Sequence, residues 1–330
     1  MNKRVLFIID EMELRYFEFN KLVTNFWLIY EFLKRGFDVQ ITTKNRLFIE
    51  DAVAKAVTFS TCIKNFDIFY NKKESEVLIN DFDVVFFRPD PPVTIDYINA
   101  CYIFDYVDTE KTLVINNPKS IKDFNEKFHI NYFPQFVPKN IVTSSKDKIK
   151  QFIHAETEAI LKPLNRCFGS GVYYMHKDDK NLNSIINAAT DNEKTLVAVQ
   201  KYLNAGIKGD KRILIIGETV FEECVMKLPS NDDFKFNSHN DEFFAPAMLT
   251  QRERDMARDV AKMLSQQGLY MAGLDVIDEK IIEINITSPC YFIKEINALY
   301  NTDFEDKIMN SLLNLIEVRC KGILGTVSSC

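Results

Sequence analysis

Asp275, Glu283 and Asn285 sit in the segment Gly-Leu-Asp-Val-Ile-Asp-Glu-Lys-Ile-Ile-Glu-Ile-Asn-Ile-Thr-Ser-Pro, residues 273–289. Two apolar runs of strand length flank Asp278-Glu279-Lys280, the pattern of a β-hairpin. On the second arm Ile282, Ile284 and Ile286 alternate with Glu283, Asn285 and Thr287. Period-2 alternation predicts the isoleucines on a core face and the oxygen-bearing side chains on the other. A three-residue loop would set Asp275 directly opposite Glu283, and like charges facing each other across a sheet repel. A cation between them would remove the conflict, and an all-oxygen set suits Mg²⁺, which takes one or two carboxylates and completes its shell with waters and phosphates. A solvated polar face on an ordinary hairpin explains the same pattern. The segment alone leaves both readings open.

Basic residues recur at predicted strand ends. Lys162 closes the run Ala159–Leu161 and precedes Asn165-Arg166-Cys167-Phe168-Gly169-Ser170-Gly171. A lysine beside a loop with Gly169 and Gly171 resembles a phosphate cradle of backbone N–H groups and a point charge, or else a plain turn. Arg88 and Asp90 follow the buried run Asp83–Phe87 in Arg-Pro-Asp-Pro-Pro. The prolines end the strand there. The carboxyl edge of an open α/β sheet is where ligands bind, so these two residues could hold a charged small molecule; a stiff turn with a chance ion pair is the alternative. Arg212 opens the run to Ile216 on its core side, as a structural ion-pair partner or a phosphate clamp.

The surrounding elements read as a mixed α/β chain. Val5–Ile9, a helix over Leu22–Arg35 stopped by Gly36, and Val39–Thr42 give the strand–helix–strand rhythm of a parallel, doubly wound sheet. Between Ile49 and Ile79 only short β-like runs stand out. Helices are expected from Ser120 to near Phe133, over Ser145–His154, Leu182–Ala189, Thr250–Gly268 (with a Thr250/Glu253 capping box) and Asp303–Ile316. Ser230–Asp241 is polar and long enough for a mobile lid. The tail Gly322–Cys330 is small and polar, and expected to be flexible.

The 330 residues carry 46% hydrophobic side chains and a net charge of −6, which describes an ordinary globular chain of two or three subdomains and argues against a nucleic-acid binder. Seven cysteines without a C-x-x-C pair predict reduced thiols in a cytoplasm and no zinc site. The basic start runs into only five apolar residues, too few for a signal peptide, and no window reaches a membrane span. The four histidines lack metal spacing, and no nucleophile–histidine set stands out.

In order along the chain come Arg88-x-Asp90-Pro91-Pro92, Asn125-Glu126-Lys127, Leu161-Lys162-Pro163-Leu164, Gln200-x-Tyr202-Leu203, Gly209-Asp210-Lys211-Arg212, Gly273-Leu274-Asp275 and Glu283-x-Asn285-x-Thr287-Ser288-Pro289. Taken together they resemble the bacterial-type glutathione synthetases of the ATP-grasp ligase superfamily, across nearly all of residues 1–318. The resemblance implies an α/β (α+β overall) fold: an N-terminal parallel-sheet domain over 1–124, an ATP-grasp small lobe over 125–195, a C-terminal lobe over 196–318 and a tail over 319–330. It implies ATP with Mg²⁺, or Mn²⁺, and the substrates γ-glutamylcysteine and glycine, in a cytoplasmic homo-oligomer. Lys127 and Lys162 match lysines that contact ATP phosphates; Gln200, Lys201, Tyr202 and Leu203 match the strand that meets adenine; and Asp210 matches a nucleotide-site acid. Arg212 matches the arginine facing the transferred phosphate, and Asp275, Glu283 and Asn285 match the metal ligands. The Arg88–Asp90 loop looks like part of the dipeptide pocket, and Thr287–Ser288 like the region that receives the second substrate.

That chemistry needs no protein nucleophile. ATP converts a carboxylate to an acyl phosphate, and moving the phosphoryl group chiefly requires positioning and charge neutralisation. The amine then attacks behind a lid that excludes water. Asn165, Arg166 and Phe168 stand where the family often has Asp and Gly. Lys235-Phe236-Asn237 replaces its Arg-Gly-Asn, so Lys235, a catalytic candidate, keeps the charge of the family's arginine but loses the bidentate fork. These departures leave two rival expectations: an ATP-grasp amide ligase with another acceptor amine, and a non-catalytic nucleotide-binding descendant.

Overall fold

A computed structural model of the chain describes residues 3–15, 24–167, 169–205, 209–229 and 244–325. The first sheet holds β1 (Arg4–Ile9), β2 (Asp38–Thr43), β3 (Leu47–Glu50), β4 (Val53–Lys64), β5 (Asp67–Tyr70), β6 (Ser75–Leu78), β7 (Val84–Phe87) and β8 (Leu113–Ile115). Its main path runs β3-β4-β2-β1-β7-β8, with β5 and β6 also paired to β4. The centre β2-β1-β7-β8 is parallel, as the strand–helix–strand rhythm predicts. The β3–β6 region is an antiparallel extension of that sheet. Its strands are only partly buried, which is why their hydrophobic signal is weak.

Helices follow the expected logic where caps are strong. After the short α1 (Glu11–Arg15), α2 (Thr24–Lys34) buries Phe26, Leu28, Ile29 and Phe32 and ends at Gly36, whose φ of +81° suits glycine. Phe7 and Phe86, register partners on β1 and β7, stack with ring centroids 4.5 Å apart beneath it. Between β7 and β8 lies α3 (Ile95–Ile103). The helix expected from Ser120 to Phe133 is instead α4 (Pro118–Asp123) followed by a 3₁₀ turn at His129–Tyr132. The cause is Asn125, whose Oδ1 accepts from the backbone N–H groups of Lys127 and Phe128 at 3.0 Å each and so competes with a helical ladder.

The second sheet contains β9 (Asn140–Thr143), β10 (Glu158–Pro163), β11 (Tyr173–His176) and β12 (Val197–Lys201), ordered β11-β10-β12-β9 and antiparallel throughout. Helices α5 (Lys146–Glu156) and α6 (Leu182–Ala189) cover it, and Ile149, Ile153, Leu161, Ile186 and Val199 form a core of its own. The strand Val197–Lys201 thus pairs within this sheet, although the expected third segment begins at 196.

The third sheet joins β13 (Asp210–Ile216), β14 (Thr219–Val220), β15 (Cys224–Lys227), β16 (Phe244–Ala247), β17 (Met271–Ile277) and β18 (Lys280–Asn285), with a path β16-β15-β13-β17-β18. It shares continuous apolar clusters with the first sheet: Leu6, Ile8 and Phe87 with Ile213 and Ile215, and Phe7 and Phe86 with Leu214 and Ile216. Helix α7 (Gln251–Gln266) carries the expected capping box between Thr250 and Glu253. Two further helices follow. The first, α8 (Ile293–Tyr300), starts without a side-chain cap, and α9 (Phe304–Gly325) runs past the expected end at Ile316 into the segment expected to be a flexible tail. Among the described residues no helix is long and apolar enough to cross a membrane.

Candidate active site

The β17–β18 hairpin differs from the expected one in a way that builds the site. Its loop is two residues, Asp278 and Glu279, both at positive φ (50° and 55°), as a twist-matched hairpin turn requires. Ile277 therefore pairs with Lys280 and Val276 with Ile281, yet Asp275 pairs with Glu283. Ile282 is the extra residue of a β-bulge. The bulge corrects the predicted core face: Ile281, Ile284 and Ile286 are buried, and Ile282 only partly. It also turns the Ile282 carbonyl to side chains of the second sheet. That oxygen accepts from Lys162 Nζ at 3.2 Å and Gln200 Nε2 at 3.3 Å.

Asp275 is the electrostatic centre. Arg212, its register partner on β13, donates to it bidentately, Nε to Oδ1 at 2.7 Å and Nη2 to Oδ2 at 3.1 Å. Lys227 Nζ lies 3.0 Å from Asp275 Oδ1 and 3.0 Å from Asp210 Oδ2. Asn285 Nδ2 donates to Asp275 Oδ2 and to the Gly273 carbonyl, both at 3.2 Å. Burial works against the Asp275 carboxylate, but Arg212 and Lys227 outweigh it and hold its pKa well below the usual range. Asp210 pairs directly with Lys227, and Arg212 acts on it from farther away. Burial pushes its carboxyl up to about 7 against the pull of Lys227, with Asp275 adding to the rise. Its Oδ1 is buried without a hydrogen-bond partner. Gly273 makes room for the arginine: a Cβ there would stand 2.9 Å from Arg212 Cδ and 3.1 Å from Nη1. The guanidinium also lies 5.5 Å from the centre of the Phe292 ring.

The predicted lysines converge on the same wall. Lys127 Nζ bonds Glu283 Oε1 and the Arg166 carbonyl, each at 2.9 Å. Lys162 is buried, and burial lowers its pKa despite Glu283. In the following loop Gly169 and Gly171 both have positive φ, and a Cβ on Gly171 would come within 3.0 Å of Pro163 Cγ. Gln200 points inward, whereas Lys201 is exposed and pairs with Glu156 at 3.0 Å. Tyr202 packs edge-on against Tyr174, and Leu203 is partly buried. Phe168, Lys235 and the expected lid at Ser230–Asp241 lie outside the described residues.

Arg88 is 2% exposed and binds chain rather than solvent: Nε donates to Asn25 Oδ1, and Nη2 to the Pro289 carbonyl at 3.0 Å and Ser288 Oγ at 3.4 Å. Burial raises the Asp90 pKa, while a hydrogen bond with Ser288 opposes the rise. Thr287 is fixed by Glu126, whose Oε1 accepts from Thr287 N at 3.0 Å, Thr287 Oγ1 at 3.1 Å and Ile286 N at 2.7 Å. Sequence reasoning passed over the roles of Lys227, Glu126 and Asn25. Glu126 stands within a quoted motif. Lys227 was legible only as an unexplained lysine alternating with Val225 on a buried strand.

Among the described residues no group of three or more His, Cys, Asp or Glu side chains could hold a metal ion alone. The donors that do meet, two paired carboxylates and the Asn285 amide, fit an octahedral ion that keeps phosphate and water in the rest of its shell.

A mixed sheet followed by two further sheets that bring four basic side chains (Lys127, Lys162, Arg212, Lys227) to a carboxylate pair defines an ATP-grasp ligase. The chain matches the prokaryotic glutathione synthetase N-terminal domain over residues 4–122 and the prokaryotic glutathione synthetase ATP-grasp domain over residues 126–301, and it belongs to that family. It is an ATP-dependent carbon–nitrogen ligase of glutathione synthesis. Its relatives include the glutathione synthetases of Vibrio cholerae (32% identical, covering 88% of this chain and 91% of that protein) and Thermosynechococcus vestitus (37%, 70% and 72%). The fold is shared with the D-cycloserine synthetase DcsG (TM-score 0.64, 12% identity, 94% of this chain and 99% of the other). It is shared too with a RiPP-associated ATP-grasp ligase of Chryseobacterium gregarium solved with ADP and peptide (0.60, 16%, 96% and 96%).

Proposed function

We propose that the Asp275 wall binds the ATP phosphates and that the reaction it serves joins γ-glutamylcysteine to glycine through an acyl phosphate. The observation that carries this reading is the convergence of Lys127, Lys162, Arg212 and Lys227 on Asp275 and Glu283. Four cations fixed by carboxylates and, for Lys162, by the Ile282 carbonyl form a preorganised receptor for a polyanion, at little reorganisation cost when the ligand arrives. Lys127 and Lys162 bind phosphate oxygens. Arg212, aimed by Asp275 and free of steric conflict over Gly273, neutralises charge on the phosphoryl group as the dipeptide carboxylate takes it and ADP leaves. Asp275, Glu283 and Asn285 would hold Mg²⁺, or Mn²⁺, which would neutralise phosphate charge. The glycine amine then attacks the acyl carbon, phosphate departs, and the peptide bond remains.

The family resemblance supports the other assignments. Gln200, Lys201, Tyr202 and Leu203 form the adenine edge, with Asp210 at the nucleotide side. The Arg88–Asp90 loop and Thr287–Ser288 turn shape the dipeptide and glycine sites. We propose the division into 1–124, 125–195 and 196–318, supported by the separate apolar core of the second sheet, which also takes in Val197 and Val199 of β12. Cys62, Cys101, Cys167, Cys224 and Cys290 are free thiols, which supports a cytoplasmic setting. A homo-oligomer is the assembly we propose. The experiment is ADP release from the purified chain with Mg²⁺, γ-glutamylcysteine and a panel of amines. Turnover that depends on glycine is expected. Release that ignores glycine and follows another amine would replace glycine as the acceptor, and ATP binding with no turnover under any substrate would leave a nucleotide-binding descendant.

A further inference from the structure

Asn25 is 2% exposed and bridges two charged groups. Its Nδ2 donates to both oxygens of Glu13 at 2.9 Å, and its Oδ1 accepts from Arg88 Nε. An amide has one donor end and one acceptor end, a guanidinium only donates, and an ionised carboxylate only accepts. The ionised Glu13 therefore dictates which end of Asn25 meets Arg88. Arg88 in turn grips Ser288 and the Pro289 carbonyl, next to the end of β18. We propose that Glu13 is a positioning residue for dipeptide recognition: through Asn25 it holds the Arg88 guanidinium, and with it the Ser288–Pro289 turn, in the orientation that γ-glutamylcysteine meets. This rests on the reading that the Arg88 loop serves the dipeptide.

The surroundings make the device sensitive to pH. Facing Glu13 among the described residues are the Asp10 N–H, which donates to Glu13 Oε2 at 3.1 Å, Asn25 from α2, and Arg88 and Asp90 from the end of β7; Lys44 reaches the cluster through Asp10 at 3.8 Å. Burial pushes the Glu13 carboxyl up to about 7; Asp90 adds to the rise, and Asn25, the Asp10 N–H and Arg88 oppose it. Above that value Glu13 is ionised and the relay is intact. Below it the acid has lost its charge and one of the two oxygens that accept from Asn25, and its new O–H competes with Arg88 for the amide oxygen, so the hold on the guanidinium weakens.

Steady-state kinetics from pH 6 to 8.5 test this on the full chain, with γ-glutamylcysteine and ATP varied separately. In the wild type the KM for the dipeptide should rise as pH falls through about 7. Glu13→Gln should raise it roughly tenfold at pH 8, the loss of one hydrogen bond to a charged group, and flatten the profile. The KM for ATP should stay within about twofold in the same variant, and Glu13→Asp should restore the pH step. A wild-type dipeptide KM flat across this range, or a Glu13→Gln enzyme with the wild-type value and step, overturns the proposal. Arg88→Lys separates the two layers. If it raises the dipeptide KM while Glu13→Gln does not, only the role of Glu13 fails; if it leaves that KM unchanged, the Arg88 reading fails and the proposal with it.

Discussion

Replacing Lys227 by methionine should make the stability of this chain fall with rising pH in a range where the wild type is level. Lys227 is 7% exposed and lies 3.0 Å from both Asp210 and Asp275. Methionine fills similar space without charge, so Arg212 alone must balance two buried carboxylates. Stripping one partner from a buried ionic cluster costs about 3–5 kcal/mol when the stranded charge cannot escape. Here it can, because Asp210 can take a proton. In the wild type its pKa of about 7 lies above the ~3.9 of an unfolded aspartate. The folded state then holds a proton that the unfolded state lacks between those values, so stability falls as pH rises through that window and levels off above it. Removing Lys227 removes the pull that keeps Asp210 from rising further, and the window extends upward. One proton is about 1.4 kcal/mol per pH unit, so the variant should lose about 2 kcal/mol relative to wild type between pH 7 and 8.5. Urea unfolding followed by far-UV circular dichroism at pH 6, 7 and 8.5 measures this directly. Parallel curves for the two proteins above pH 7 would refute the idea that Lys227 neutralises this pair.

Two further substitutions probe the same wall. Gly273→Ala places a methyl 2.9 Å from Arg212 Cδ, so the guanidinium must leave its seat on Asp275; kcat should fall roughly ten- to a hundredfold, the effect of about 1–3 kcal/mol of overpacking, with the circular dichroism spectrum kept. Glu283→Gln keeps the shape of β18 but removes the charge that faces Asp275 and binds Lys127; turnover should drop more than about a hundredfold while the melting temperature moves by only a few degrees, and near-normal turnover would take Glu283 out of the metal set.

What could be read from the amino-acid order was whatever depends on neighbours a few residues apart. The Thr250/Glu253 capping box, the Gly36 stop, the fully buried β7 and the hairpin flanking Asp278 are local events, fixed by side chains competing for nearby backbone groups. Motif order identified the family, and it drew attention to Asp275, Glu283, Lys127, Lys162 and Arg212 without any geometry. Local reading failed where a side chain reached past its own turn. Asn125 intercepted the N–H groups of a helix whose apolar pattern continued, and α8 formed in a segment with no cap to announce it.

Only the tertiary structure decided how these residues act on one another. A two-residue turn would pair Asp275 with Ile282; the bulge moves Glu283 into that place and hands the Ile282 carbonyl to Lys162 and Gln200, residues 120 and 82 positions away. Lys227 becomes part of the site because β15 and β17 flank β13, bringing its ammonium to Asp210 and Asp275 at once. Glu13 reaches Arg88 through Asn25 because α1, α2 and the end of β7 meet at one sheet edge. Charge pairing over a few ångströms has no periodicity along the chain. The sequence alone therefore determined which ions the chain has to place, and the packing of its sheets decided which of them meet.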